Sequence, residues 1–471
     1  MNTGNKLYLN GIDATTGQYM MPPMEVDQLA AVVKGVKQDD AQNSWLKRVL
    51  RKVGLRHYGL PEGVDPADVA QAGWGIVFLA DEDAAVKDAL RPLIEHRKRQ
   101  IGDDRVKELS YTAGQRRAQW LAANGIGAGS VDPNKVPYYL LLVGSPEKIS
   151  FTFCHELDVE YAVGILHFDK PEEYAQYAQS VIEYETAASV PNAKEAVFFA
   201  TRHRNDPPTE TSADLLINPL ADGRQITKYD YRARKLWGED ATKDALLDVL
   251  RPAADAKSPA FLFTASHGIS WPKGHKRQMA AQGALLCQDW LEFDKPTEDD
   301  YFAAVDLPAD AALHGLIAFH FACYSIGTPQ LDNFAHSPGT MPPPIAERPF
   351  IAALPKAMLA HPRNGALACI GHVERAWECS IVTDGAGPQL LPFQNAIDCI
   401  LGGKPVGYAM KDFNQRYAAL STELANVLEQ AGFGVAIDNL ELANMWVGRN
   451  DAGGYLVLGD PSVRLRVDDL A

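Results

Sequence analysis

The 471-residue chain holds six cysteines, Cys154, Cys287, Cys323, Cys369, Cys379 and Cys399, and no two stand in a CxxC pair. That spacing offers neither a zinc ribbon nor a disulfide scaffold, so reduced thiols are expected. There is no HExxH for a helix-borne zinc site and no GxSxG for a serine nucleophile elbow. No apolar run approaches the ~20 residues that cross a bilayer, so no membrane is expected as a partner. The start, Met1 to Lys6, lacks the charged head, apolar run and cleavage site of a signal peptide; the expected compartment is cytoplasmic. Positive charge is also short. Lys and Arg number 45 against 60 Asp and Glu, a formal charge of −15, which argues against nucleic acid as the main partner. One basic cluster, Lys47, Arg48, Arg51, Lys52 and Arg56, reads as a solvated helix face.

Apolar residues make up 46% of the chain and charged residues 22%, the balance of a folded globular protein. The length exceeds one ordinary core, so two regions are expected, residues 1–190 and 191–471. Gly73 to Leu79 reads as a buried strand, followed by a helix with Val86, Leu90, Leu93 and Ile94 on one side and Pro92 as an obstacle in its middle. After a Gly, Ser, Asp and Pro-rich linker from Gly125 to Pro137 come a strand at Tyr138 to Val143, an extended segment ending at Ile165 and Leu166, and a helix opened by Pro171. The second half continues with strands at Ala196 to Ala200, Ala260 to Ala265, Gly315 to Ala322 and Ala366 to Gly371, and with a Pro-rich stiff loop from Ser337 to Pro349. Short continuous apolar strands alternating with helices predict an α/β fold with a mostly parallel sheet covered on both faces.

Reactive side chains in such sheets gather beyond the carboxyl ends of the strands. Phe261 to Ala265 leads into Ser266-His267-Gly268, and Leu316 to Ala322 leads into Cys323-Tyr324-Ser325. If these strands are neighbours, His267 and Cys323 share one crevice, and an imidazole there accepts the proton of a thiol that is otherwise mostly neutral. Gly268, having no side chain, lets its N–H approach a substrate carbonyl and form an oxyanion hole with the N–H of Cys323. The catalytic set expected is His267, Cys323 and Gly268, in a cleft that a substrate can enter.

These motifs resemble those of clan CD cysteine peptidases, the gingipains, caspases and caspase-like CHAT proteins. The likeness extends to Tyr139 to Gly144, Asp158 to Gly164 and Ile182 to Glu185, which are similar to a gingipain-type first subdomain (136–190). It includes Leu456 to Leu465, which resembles the GDPS-type ending of the same proteins. It implies a caspase-haemoglobinase-like sheet flanked by helices, preceded by a gingipain-like α/β subdomain. It further implies an endopeptidase acting through a thioester on a protein or peptide substrate, without cofactor or metal. The resemblance also implies an acidic residue beneath the side chain that precedes the cut bond, Asp158 or Glu156, which favours Arg or Lys there; Asp158 alternatively orients His267. Trp377 aligns with an aromatic wall of that pocket, and core packing is the other reading of it. The Arg that often follows the family's counterpart of Gly164 is absent, and a long insertion separates His267 from Cys323, including Lys273, Lys276, Arg277, Gln278 and Gln282, placed to cover the site or be cut.

Two other readings compete. His314, His320 and Cys323 lie close in sequence, as do His267 and His275, but residues 320 and 323 of one strand point to opposite faces, which speaks against a metal site. A caspase-like fold also serves as a silent scaffold or adaptor, because fold does not fix function. An endopeptidase in the cytoplasm needs restraint, so an inactive resting state or an activating protein partner is expected.

Overall fold

The computed structural model describes residues 6–8, 11–21, 23–27, 30, 33, 60–127, 129–253, 256–291, 294–332, 334, 341–383 and 387–471. The basic cluster at residues 47–56 and residues 337–340 of the Pro-rich loop lie outside them. In chain order the strands that matter are β1 (Gly11–Asp13), β2 (Gln18–Tyr19), β3 (Trp74–Leu79), β4 (Val106–Tyr111), β5 (Tyr139–Val143), β6 (Ala162–Leu166), β7 (Asn192–Ala200), β8 (Arg232–Trp237), β9 (Ser258–Ala265), β10 (Gly268–Ser270), β11 (Leu285–Leu286), β12 (Tyr301–Phe302), β13 (Ile317–Phe321), β14 (Ala368–His372) and β15 (Tyr455–Gly459). The helices used below are α1 (Ala84–Ile101), α2 (Phe151–Asp158) and α3 (Pro171–Thr186).

A ten-stranded sheet runs in the order β8-β7-β9-β13-β14-β15-β6-β5-β3-β4. Every neighbouring pair in it is parallel except β14 with β15. β5, β6, β9 and β13 are buried along their whole length, as expected of strands covered by helices on both faces. The expected regions 1–190 and 191–471 therefore share one continuous sheet, joined by the C-terminal strand β15. Because β15 is antiparallel to β14 and parallel to β6, the two halves of the sheet run in opposite directions. The carboxyl end of β14 at His372 thus lies level with Tyr455, on the same edge as the amino end of β6.

The seam between the halves is held by an ionic cluster around the Gly459-Asp460-Pro461-Ser462 turn. Asp460 accepts hydrogen bonds from Trp74 Nε1 at 3.0 Å, from Arg97 Nη2 at 2.9 Å and from the Ser462 hydroxyl at 2.7 Å. Arg97 also pairs with Glu185 at 2.6 Å. A methyl group on Gly164 would meet the Gly459 carbonyl oxygen at 2.1 Å, so only glycine lets β6 and the turn approach this closely. Helix α1 continues through Pro92, with Val86, Leu90, Leu93 and Ile94 buried on one face. The proline forfeits one backbone donor, and the buried face together with the Arg97 anchor outweighs that loss.

Burial by itself would raise the Glu185 carboxyl, but the Arg97 guanidinium and the hydrogen bonds from His96 and Arg97 hold it down at about 2. A depressed carboxylate stabilises the fold above its unfolded value near 4.5 and loses that contribution as pH falls toward 2. Replacing Arg97 with Met strands two buried carboxylates, and the expected loss is ~3–5 kcal/mol at pH 7 in urea unfolding. Between pH 4.5 and 2 the wild type loses stability, whereas the variant loses less, because protonation relieves its stranded charges.

Candidate active site

Strands β9 and β13 are parallel and in register, Phe263 opposite Phe319 and Ala265 opposite Phe321. Phe263 and Phe319 stack with centroids 4.5 Å apart, locking the two strands side by side. The chain therefore leaves both strands at the same level, and His267 and Gly268 emerge beside Cys323. The contact is close: a methyl group on Gly268 would lie 1.9 Å from the Cys323 carbonyl oxygen and 2.8 Å from its nitrogen. Glycine is required here by space rather than by an unusual φ.

The His267 ring is fixed on one side only. Its Nε2 lies 2.7 Å from Asp206 Oδ2, while Nδ1 is buried with no hydrogen-bond partner. Asp206 stands just beyond the carboxyl end of β7, the strand next to β9. Its other contacts are the Thr209 hydroxyl at 2.5 Å, which donates to Oδ2, and the Tyr19 hydroxyl, which donates to Oδ1. Burial works to raise the Asp206 carboxyl, but His267 and these hydrogen bonds keep it down at about 2, a fixed anion against the imidazole. Asp206 was missed in the sequence because the terminus rule was applied to β9 and β13 alone; applied to Ala196 to Ala200, it points at the six residues that follow. The alternative role expected for Asp158, orienting His267, belongs to Asp206.

The Cys323 sulfur is flanked by the Gly371 to Trp377 segment: the Ala376 N–H donates to Sγ at 3.3 Å. Burial pushes the thiol up to about 12 against that hydrogen bond and the charge of Arg375. Arg375 itself is buried in a bidentate pair with Asp332, at 2.6 and 2.8 Å, and bonds Glu374 at 2.8 Å. Trp377 is buried next to Ala376, its backbone N–H donating to Asp451 Oδ1 at 3.0 Å and its ring 5.2 Å from that of Phe334. It stands one residue from the sulfur contact and also packs in the core.

Two expectations are corrected, the open cleft and the anionic pocket residue. The cleft is not open: His267 and Cys323 are both 0% exposed, and part of the cover is the N-terminal hairpin β1–β2, since Gly11 backs directly onto Sγ. Asp158 reaches the expected edge of the sheet, just before β6, but it is buried and accepts the Val163 N–H at 2.9 Å. Burial pushes its carboxyl up to about 8, which favours the neutral acid at pH 7 over an anion for an Arg or Lys side chain. Glu156 is half-buried on α2, near enough to Tyr111 to help raise that phenol. The insertion after His267 helps cover the site, as expected: its Trp290 ring stands edge-on to His267 with centroids 6.5 Å apart. It builds β10, β11 and β12, and Gln278 and Gln282 bond inward, to the Trp271 and Ile345 carbonyls and to Thr328 Oγ1. His320 Nδ1 lies 2.8 Å from Thr264 Oγ1, and among the described residues no His, Cys, Asp and Glu group is arranged to hold a metal ion. Among the same residues no helix is long and apolar enough to cross a membrane.

No protein-family model matches the chain, and no curated protein matches its sequence. Among solved structures it is similar to one described as a protease, at 14% identity and TM-score 0.49, covering 84% of this chain and 78% of the other. It is also similar to the Arg-specific cysteine proteinase gingipain R, at 13% identity and TM-score 0.44, covering 86% and 80%. A complex of the RgpB pro- and mature domains from Porphyromonas gingivalis gives 13% identity and TM-score 0.45, covering 84% and 80%. At these scores the likenesses assign nothing by themselves; the α/β architecture stands on the sheet described above.

An acid held neutral to pH 8 destabilises the fold progressively as pH rises above its unfolded value near 3.8, because the native state keeps a proton that the unfolded chain has released. Asp158→Asn keeps an acceptor for Val163 and has no proton to hold. The expected outcome is a variant whose unfolding free energy falls less between pH 4 and 8 than that of the wild type, read from urea titrations at each pH.

Proposed function

We propose that the chain is a cysteine endopeptidase in which Cys323 is the nucleophile and His267 the proton carrier. The observation that carries this reading is the Gly268 backbone pressed on that of Cys323 beside an imidazole anchored to Asp206 through Nε2 and unpartnered at Nδ1. Acyl transfer by a thiol needs a base within reach, an orienting group behind the base, and backbone donors around the carbonyl oxygen. These residues supply one of each.

In the proposed sequence the thiol proton passes to His267 as Sγ attacks the peptide carbonyl carbon. The negative oxygen is held by the N–H groups of Gly268 and Cys323. The tetrahedral species collapses to a thioester, and the amine leaves with the proton carried by His267. Water, deprotonated by the same ring, then attacks the thioester, and the carboxylic acid departs as Cys323 regains its proton. Asp206 keeps the ring in place through Nε2. Trp377 belongs in the proposal as an aromatic neighbour of the substrate side chain that precedes the cut bond. A preference for basic residues there has no support from Asp158 in its neutral state.

The complete burial of both side chains also suits a silent scaffold, so the two readings must be separated on the sulfur itself. A peptide chloromethyl ketone library, followed by mass spectrometry, is expected to label Cys323 in wild type at the slow rate set by transient opening of the covered site, and to leave position 323 of Cys323→Ala unlabelled. His267→Ala is expected to lower hydrolysis of fluorogenic peptides by about 10³-fold or more. A full chain that labels at no rate above that of an inert buried thiol, and hydrolyses no peptide even when the site is opened, is the scaffold.

A further inference from the structure

The N-terminal hairpin is bound to the site by contacts that a passing surface loop does not make. β1 joins β10 in parallel, with Gly11 opposite Gly268, so it adds a strand to the residues immediately after His267. A methyl group on Gly11 would come within 3.1 Å of the Cys323 sulfur and 2.1 Å of Met20 Cε. The Tyr19 ring lies edge-on to His267, centroids 5.9 Å apart, and its hydroxyl donates to Asp206. One short segment therefore touches the nucleophile, the base and the group behind the base.

Its anchoring is shared between a small cluster of its own and the main core, against which Met20 packs. Ile12 and Ala14 are buried in a small cluster with Ile269, Trp271, Trp290 and Tyr301, all from the insertion. The turn of the hairpin rests on the insertion too, where a methyl group on Gly17 would sit 2.2 Å from the Asp294 carbonyl oxygen. Gly17 has φ +74°, a conformation that a side chain disfavours. Edge strands of this kind accept an extended chain through backbone hydrogen bonds, whichever chain supplies it.

Resting on the peptidase reading, we propose that residues 11–20 are a removable shield and that the edge of β10 beneath them is where the extended backbone of a polypeptide substrate docks. Shield and substrate compete for one edge and exclude each other. Leaving requires the small cluster to part, the β1–β10 pairing and the Tyr19–Asp206 hydrogen bond to break and Met20 to withdraw, while the strands of the ten-stranded sheet stay paired.

The test uses two full-length variants: Ile12→Asp, which places a charge in the small cluster, and Gly17→Val, which strains the turn without touching the site. Circular dichroism reports folding, iodoacetamide alkylation of Cys323 reports access, and a mixed fluorogenic peptide library reports hydrolysis. Alkylation is expected to rise about tenfold or more in a folded variant, in proportion to the open population, with hydrolysis rising alongside. A synthetic peptide of residues 8–21 is expected to slow both again, where a scrambled peptide does not. Faster alkylation without hydrolysis leaves the shield standing and removes the peptidase reading. Unchanged alkylation in both folded variants overturns the shield, whatever the hydrolysis. A residues 8–21 peptide that leaves the opened variant's alkylation and hydrolysis unaffected overturns the docking edge.

Discussion

A Cβ on Gly268 would collide with the Cys323 peptide, and the site depends on the geometry that makes this contact possible. Two parallel strands in register deliver their following residues to one level of the sheet edge. The stacked Phe263 and Phe319 rings hold that register against slippage, because a one-residue shift would turn each buried side chain to the opposite face. Asp206 arrives by the same logic one strand further out, at the end of β7. Three chemically active residues thus come from three adjacent strand termini, and none is placed by a local motif.

The other half of the molecule reaches this edge only because it runs the other way. With β15 antiparallel to β14, the amino end of β6 and the residues before it share an edge with His372. The Asp460 turn fixes that arrangement by tying Trp74 and Arg97 to the C-terminal segment. The GDPS-type sequence therefore has a structural explanation: Gly459 has φ +117° and a Cβ there would meet the Tyr177 hydroxyl at 2.8 Å, aspartate is a buried acceptor, and serine is a second donor to the carboxylate oxygen that Trp74 also bonds. A motif read as a family mark is here the fastening between two half-sheets.

Much of this was legible because it depends on hydrophobic pattern. The buried, mostly apolar strands at 139–143, 162–166, 258–265 and 317–321 declare themselves, and so does the helix from Pro171. The outer strands β4 and β8 do not, since solvent reaches parts of each and their sequences, VKELSY and RARKLW, mix charge with apolar residues. The hairpin is harder still: strands of two and three residues carry too little periodicity to register, and their partner lies more than 250 positions away. Asp158 shows another limit. Sequence says that a carboxylate follows α2, but whether it faces substrate or the Val163 amide depends on packing that sequence does not display. The delivery of His267 and Cys323 to neighbouring strand ends was inferable, whereas the closure over them was not.

Closure and reactivity are governed by the same quantity. Desolvation is the largest influence on Cys323, and it raises the thiol to about 12; the sulfur is held neutral by the same exclusion of water that keeps substrate out. Asp206 is buried as well, yet it stays ionised because its partners are fixed donors that need no water. The covered site therefore keeps its anion and suppresses its thiolate. In the proposed opening, Gly11 leaves Sγ, water and substrate dipoles reach the sulfur and the cost of charging it falls. On that proposal, access and the charge shift come together, and the backbone contact between residues 268 and 323 need not change.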